Sequence, residues 1–160
     1  MIIYLLRHAQ AQPRASFGRD EDRALTNEGI EKLRKVLTLG KGSLSLEVDR
    51  ILSSPYKRAI QSAEVAKDVL KPRKPKIMAL EALEPEKNPY EIYAAITKLK
   101  FEPIDRVMLV LHQPSIGDLA SDLVGQGSRI NFAPATLARI DGEARTNSGT
   151  LVWLLSSDVI

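Results

Sequence analysis

Residues 106–124 read RVMLVLHQPSIGDLASDLV, and two hydrophobic periods stand back to back in them. Val107 to Leu111 is an unbroken apolar run, the pattern of a strand covered on both faces. From Ile116 onward the apolar positions change to helical spacing: Ile116, Leu119, Ala120, Leu123 and Val124. His112, Gln113 and Pro114 lie between the two patterns. A buried strand feeding directly into an amphipathic helix is a βα unit, which predicts an α/β fold with parallel strands.

The same unit recurs upstream. Ile2 to Leu6 is a short β-branched apolar run that reads as another strand buried on both faces. The polar stretch from Gln10 to Arg23 reads as a loop, long enough to suggest a functional one. Ile30, Leu33 and Leu37 then recur at helical spacing, with Thr26 as the expected N-cap, Glu28 in the first turn, and Gly40 and Gly42 as the expected stop. VDRILSSP (48–55) supplies a second strand, and Ser54-Pro55 predicts a helix start carrying Ala59, Ala63, Ala66 and Leu70. KIMAL (76–80) is a third strand. Ile92, Ala95, Ile96 and Leu99 mark a helix that Pro103 should close. Beyond Gly125 and Gly127, TLARID (136–141) and TLVWLLS (150–156) flank a turn region and predict a closing hairpin. The expected architecture is one domain over 1–160, with a mostly parallel sheet and an antiparallel element near its end.

Composition narrows the chemistry. The 160 residues are 44% hydrophobic and 27% charged, with a formal net charge of +3. That mild excess is unlike the dense basic stripe of a nucleic-acid protein, so no nucleic-acid partner is expected. No cysteine is present, which excludes thiolate catalysis and disulfides, and the two histidines, His8 and His112, do not stand in a metal-binding spacing. No metal or other cofactor is expected. The start MIIYLLRHAQ lacks the n-region and h-region of a signal peptide, and no apolar run reaches membrane-spanning length. A cytoplasmic location without membrane attachment is the expectation.

In an open α/β sheet, ligands bind beyond the carboxyl ends of the strands. The first strand delivers Arg7 and His8 there, the second delivers Ser53, Ser54 and then Arg58, and the RVMLVL strand delivers His112. Taken singly, each has a plain structural reading: a solvated strand end for Arg7 and His8, an exposed helix position for Arg58, a core histidine for His112, helix caps for Thr26 and Ser54. Their common place at strand ends, with two of them leading into helix N-termini, points to a phosphate or other tetrahedral oxyanion. No Walker A or G-x-G-x-x-G pattern is present, so this is not a nucleotide loop of the usual kinds. A neutral imidazole is the natural nucleophile toward phosphorus among the groups that remain.

Four segments together resemble the histidine phosphatase superfamily, the phosphoglycerate-mutase-like proteins. LRHAQ (6–10) resembles its Arg-His-Gly signature, RALTNEG (23–29) its Leu-Thr-x-x-Gly element, LSSPYKRAIQSAE (52–64) its Ser-Ser-Pro-x-x-Arg segment, and LVLHQPSIGDLASDL (109–123) its second-histidine segment. Within the superfamily, the short chain and the His-x-Pro form of LHQPSIG are most similar to the small SixA-like phosphohistidine phosphatases.

The resemblance implies a three-layer α/β/α sandwich. It implies that His8 is the nucleophile and is transiently phosphorylated, while Arg7, Arg58 and His112 bind the phosphoryl oxygens. The two arginines should keep His8 uncharged, with one ring nitrogen held by an acceptor such as a backbone carbonyl. Arg23 is a candidate substrate contact, and Thr26 of the Leu-Thr element is placed with it. Ala9 stands where glycine is usual, adding a methyl that could tighten the pocket; Ser62 replaces a common threonine with little expected consequence. Most members acting on alcohol esters carry a glutamate acid after the third strand. LEALEPEKNP (80–89) offers Glu81 and Glu84 as a possible general acid, without a clear motif. A poorly defined acid favours a labile P–N substrate, so the expected partner is a protein bearing phosphohistidine or, in the alternative, a small phosphorylated substrate. The alternatives are a phosphatase of small phosphomonoesters and a non-catalytic module that binds a phosphorylated ligand.

Overall fold

The computed structural model describes residues 1–14, 18–102, 105–125 and 127–160. Pro103, the expected stop of the third helix, and residues 15–17 of the first loop lie outside them. The strands are β1 (Ile2–Arg7), β2 (Arg50–Ser53), β3 (Lys76–Ala79), β4 (Arg106–Leu111), β5 (Leu137–Asp141) and β6 (Thr150–Leu155). The helices are α1 (Asn27–Ser43), α2 (Lys57–Val69), α3 (Pro89–Thr97) and α4 (Ser115–Val124).

The described strands form one sheet in the order β3-β2-β4-β1-β5-β6. β1 to β4 are mutually parallel, β5 runs antiparallel to β1, and β6 pairs antiparallel with β5. This is the mostly parallel α/β sheet with an antiparallel element that the sequence predicts.

Alternation along the strands explains why they are apolar throughout. Tyr4 and Leu6 face one apolar cluster with Leu33, Leu37, Ala59, Ala63 and Ala66 of α1 and α2. Ile3 and Leu5 face the other, with Ile92, Ile96, Ile116, Leu119 and Leu123 of α3 and α4. Met108 and Val110 of β4 join the first cluster, Val107 and Leu109 the second. A central strand with both faces covered by helices has no polar face to show.

Three helix boundaries differ from the sequence reading. α3 ends at Thr97, short of Leu99. α1 continues through Gly40 and Gly42 to Ser43. Gly40 lies close against Leu46 and Leu137, so it serves helix packing, and the chain turns instead at Ser45, with φ of 52°. α2 starts at Lys57 with Tyr56 as its N-cap. Ser54 Oγ accepts instead from Tyr56 N at 3.3 Å, ahead of the helix, while the Ser54 N–H extends the sheet, donating to Val110 O at 2.9 Å.

Thr26 does cap α1, its Oγ1 accepting from Gly29 N at 3.0 Å. The Thr26 N–H donates to Gln10 O at 2.9 Å, which fastens the helix to the chain just past His8. Gly29 is needed here for a close approach, since a Cβ at this position would run into the backbone carbonyl of Gln10. Gly29→Ala is expected to lower stability by about 2–3 kcal/mol, as for overpacking at a rigid contact. Urea denaturation reads this, and an unchanged midpoint would show that α1 can shift off Gln10 freely.

Candidate active site

β1, β2 and β4 end side by side, so the register alone brings their next residues together: Arg7 is opposite Leu111 and Ser53 opposite Val110. His8 follows β1, Ser54 follows β2 and His112 follows β4. A cavity of about 420 Å³ opens at this edge, with Arg7, His8, Arg23, Arg58 and His112 on its wall. Five of the residues singled out in the sequence are thus brought to one place.

The backbone of His8 is clamped from two sides. Its N–H donates to Leu111 O at 3.2 Å, and its carbonyl accepts from Ala135 N at 3.2 Å. The ring is fixed by a third contact, Nδ1 to Ala9 O at 2.7 Å. A carbonyl can only accept, so the proton of a neutral ring sits on Nδ1 and Nε2 carries the free lone pair. The surroundings of Nε2 agree with this, because Arg58 Nε–H donates to it at 3.3 Å.

Arg58 is 3% exposed, and both its terminal nitrogens donate to one residue. Nη1 donates to Asp20 O at 2.8 Å and Nη2 to Asp20 Oδ2 at 3.1 Å. The other oxygen of Asp20 accepts from Arg23 Nε at 2.8 Å. Arg7 Nη1 donates to Phe132 O at 2.6 Å, while its buried Nε has no partner among the described residues. His112 Nε2 contacts Ser54 Oγ at 2.8 Å, and its Nδ1 likewise lacks a partner there. The two imidazoles lie 5.0 Å apart between centroids, and Tyr56 packs edge-on against His112.

Both histidines are held neutral. Burial is the main cause for His8, with Arg58, Arg7 and Arg23 adding to it and outweighing the bond to Ala9, and the result is a pKa lowered from 6.5 to about 3. Burial again leads for His112, followed by His8 and the same arginines, with a pKa lowered from 6.5 to about 2. The arginines expected to keep His8 uncharged are therefore secondary to desolvation. For Asp20, burial opposes ionisation, but the charge and hydrogen bond of Arg58, with Arg23 and Arg14, prevail and hold the carboxyl below its usual range.

Three expectations need correction. Thr26 is absent from the cavity wall; its hydroxyl is spent on the helix cap and it acts on the site only through Gln10. Glu81 and Glu84 do not line the cavity either. Glu81 opens a 3-10 turn (Glu81–Leu83) and is exposed, whereas Glu86 reaches the wall after the chain turns there at φ of 69°. Ala9 does not tighten the pocket, because its methyl is fully buried in the apolar cluster of α1 and α2.

Asp20, Glu86 and Gln113 are cavity residues that the sequence reading passed over. Asp20 was hidden in the charge-rich run RDEDR (19–23), which reads as a solvated loop. Ser62 also carries more weight than expected: its Oγ accepts from Ala9 N at 3.1 Å and donates to Arg58 O at 2.8 Å, joining the two halves of the site. Among the described residues, no cluster of three or more His, Cys, Asp or Glu side chains is placed to hold a metal ion, and no helix is long and apolar enough to cross a membrane.

A cavity at the strand ends of an α/β sheet, with arginines around an uncharged imidazole, suits a phosphate or similar oxyanion. Residues 3–84 match the family model of the histidine phosphatase superfamily (branch 1). The chain is 30% identical over 145 residues to the phosphohistidine phosphatase SixA homolog of Haemophilus influenzae, covering 88% of this chain and 87% of that one. It is 28% identical over 157 residues to phosphohistidine phosphatase SixA of Escherichia coli, covering 98% and 94%. The solved structure of the protein histidine phosphatase SixA complexed with tungstate superposes with a TM-score of 0.86 at 26% identity, over 99% of both chains. This chain belongs to the histidine phosphatase superfamily, and it is a phosphatase.

Neutral, buried histidines leave a mark on stability. Their folded pKa values lie below 6.5, so at lower pH the unfolded chain takes up protons that the folded chain refuses. Stability is expected to fall as pH drops from 6.5 toward about 5, by up to ~1.4 kcal/mol per pH unit for each ring. Urea denaturation across this window, with His112→Gln expected to halve the slope, checks it; a flat profile would mean that the rings titrate while folded.

Proposed function

We propose that this phosphatase hydrolyses phosphohistidine on a protein, through a covalent phosphohistidine at His8 Nε2. The observation that carries this reading is the Nδ1 contact of His8 with Ala9 O at 2.7 Å, which presents the lone pair of Nε2 to the cavity. In the first step, Nε2 attacks phosphorus and the P–N bond of the substrate breaks, its electron pair returning to the departing imidazole. In the second, water attacks phosphorus, the P–Nε2 bond breaks, and inorganic phosphate leaves with His8 neutral again. Arg58 Nε, now 3.3 Å from Nε2, would move to a phosphoryl oxygen when the new bond forms. Arg7 Nε and His112 Nδ1, both buried without partners among the described residues, supply further contacts for those oxygens. Arg23 flanks them.

The curated relatives named phosphohistidine phosphatase SixA support the substrate class, as does the chemistry of departure. A phosphorylated imidazole protonated on its other nitrogen leaves as a neutral ring and needs no acid from the enzyme. Asp20 is a poor acid, since its arginine partners keep it ionised. Glu86 on the wall favours a second reading, a phosphatase of small phosphomonoesters in which it protonates the leaving oxygen.

One set of assays separates these readings. Wild type is expected to turn over a phosphohistidine peptide with a higher kcat/KM than p-nitrophenyl phosphate or a sugar phosphate, and His8→Ala to lose at least ~10³-fold, as for removal of a covalent nucleophile. Glu86→Gln should change phosphohistidine turnover less than about tenfold, whereas a general acid would cost about 10²–10⁴-fold. Preference for the monoesters together with a large Glu86→Gln loss supports the second reading; full activity of His8→Ala overturns both.

A further inference from the structure

Ser54 is fully buried at the end of β2, and two groups meet its hydroxyl among the described residues. The Tyr56 backbone N–H lies 3.3 Å from Ser54 Oγ, and His112 Nε2 lies 2.8 Å from it. An amide N–H can only donate, so Tyr56 occupies a lone pair of the hydroxyl and leaves its proton still to be placed.

Two assignments exist for the contact with His112. If Nε2 carries the ring proton and donates, the hydroxyl proton of Ser54 has no acceptor and the Nδ1 lone pair has no donor, which leaves two buried polar groups unmet. If the hydroxyl donates to Nε2, the ring proton sits on Nδ1, and that N–H alone awaits a partner. The second assignment strands fewer groups, and buried polar groups are overwhelmingly paired. Burial keeps the ring neutral, so the choice is between these two tautomers and not an imidazolium.

We propose that Ser54 is a positioning residue that fixes His112 as its Nδ1–H tautomer, making it a hydrogen-bond donor to the phosphoryl group in place of a lone pair that would repel it. The ring lines the same cavity as His8, Arg7 and Arg58, where the remaining demand is for donors to an oxyanion. Ser54 thus acts on His112 as Ala9 O acts on His8: each fixes a proton on Nδ1, one ring to present Nε2 as nucleophile and the other to present Nδ1–H as donor. The catalytic part of this proposal rests on the site being the phosphoryl pocket; the tautomer itself does not.

Long-range ¹H–¹⁵N correlation spectra of the two histidine rings in the ligand-free protein near neutral pH test it, with His112→Gln identifying the signals. His112 is expected to show a protonated, pyrrole-type Nδ1 and a pyridine-type Nε2. Ser54→Ala should mix or invert that pattern, leave His8 unchanged, and lower kcat/KM by about 10–100-fold, the usual cost of losing an outer residue that orients a ligating ring. Ser54→Thr, which keeps the hydroxyl, should restore the wild-type pattern and most of the activity. A wild-type His112 protonated on Nε2 would overturn the proposal, as would a Ser54→Ala protein that keeps the Nδ1–H form. The wild-type spectrum decides the matter even if the alanine variant does not fold. Because the tautomer is read without substrate, its failure is distinct from the failure of phosphohistidine as the substrate.

Discussion

One hydrogen bond of 2.7 Å, from His8 Nδ1 to the carbonyl of Ala9, decides which nitrogen of the ring keeps its lone pair. Such a bond needs a backbone that does not move, and much of the fold supplies it. β4 takes the His8 N–H, Ala135 just ahead of β5 donates to the His8 carbonyl, and Ser62 of α2 accepts the Ala9 N–H. α1 is tied to Gln10 through Thr26 and the bare backbone of Gly29. A parallel sheet covered on both faces is stiff, and its strand ends are where side chains can be aimed without losing that stiffness.

Charge is arranged on the same frame. Arg7 and Arg58 lie beside imidazoles whose burial denies them a proton, so positive charge gathers around a neutral ring. Asp20 answers part of that charge by holding Arg58 with its backbone carbonyl and one carboxylate oxygen, and Arg23 with the other. The Nε of Arg58 is left directed at His8. One residue thus keeps two arginines in place on the cavity wall. Asp20 itself is half-buried, whereas its partner Arg58 is 3% exposed, so removal of Asp20 leaves a buried guanidinium without its counter-charge.

Much of this was readable from the chain, for identifiable reasons. Central parallel strands must be apolar on both faces, so IIYLL and VMLVL announced the sheet, and strand ends then placed Arg7, His8 and His112 on one edge. Arg58 followed because a helix start fell directly after β2. What escaped detection depends on loops, where no period constrains a side chain. Asp20 looked like a solvated charge among alternating arginines and carboxylates, and its partner Arg58 is 38 residues away. Three glutamates within six residues (81–86) could not be ranked by spacing, and a left-handed turn at Glu86 sent the last of them to the cavity. Ala9 and Ser54 were misjudged because their roles depend on which way a methyl and a hydroxyl face once packed.

Nε2 of His8 is the atom proposed to take the phosphoryl group. Trapping the phosphoenzyme during turnover by rapid alkaline quench, then assigning the modified nitrogen by ³¹P and ¹⁵N NMR of the isolated peptide, tests this most directly. The structure predicts acid-labile phosphate on His8 at Nε2; phosphate on Nδ1, on His112, or on an oxygen-bearing side chain would contradict it.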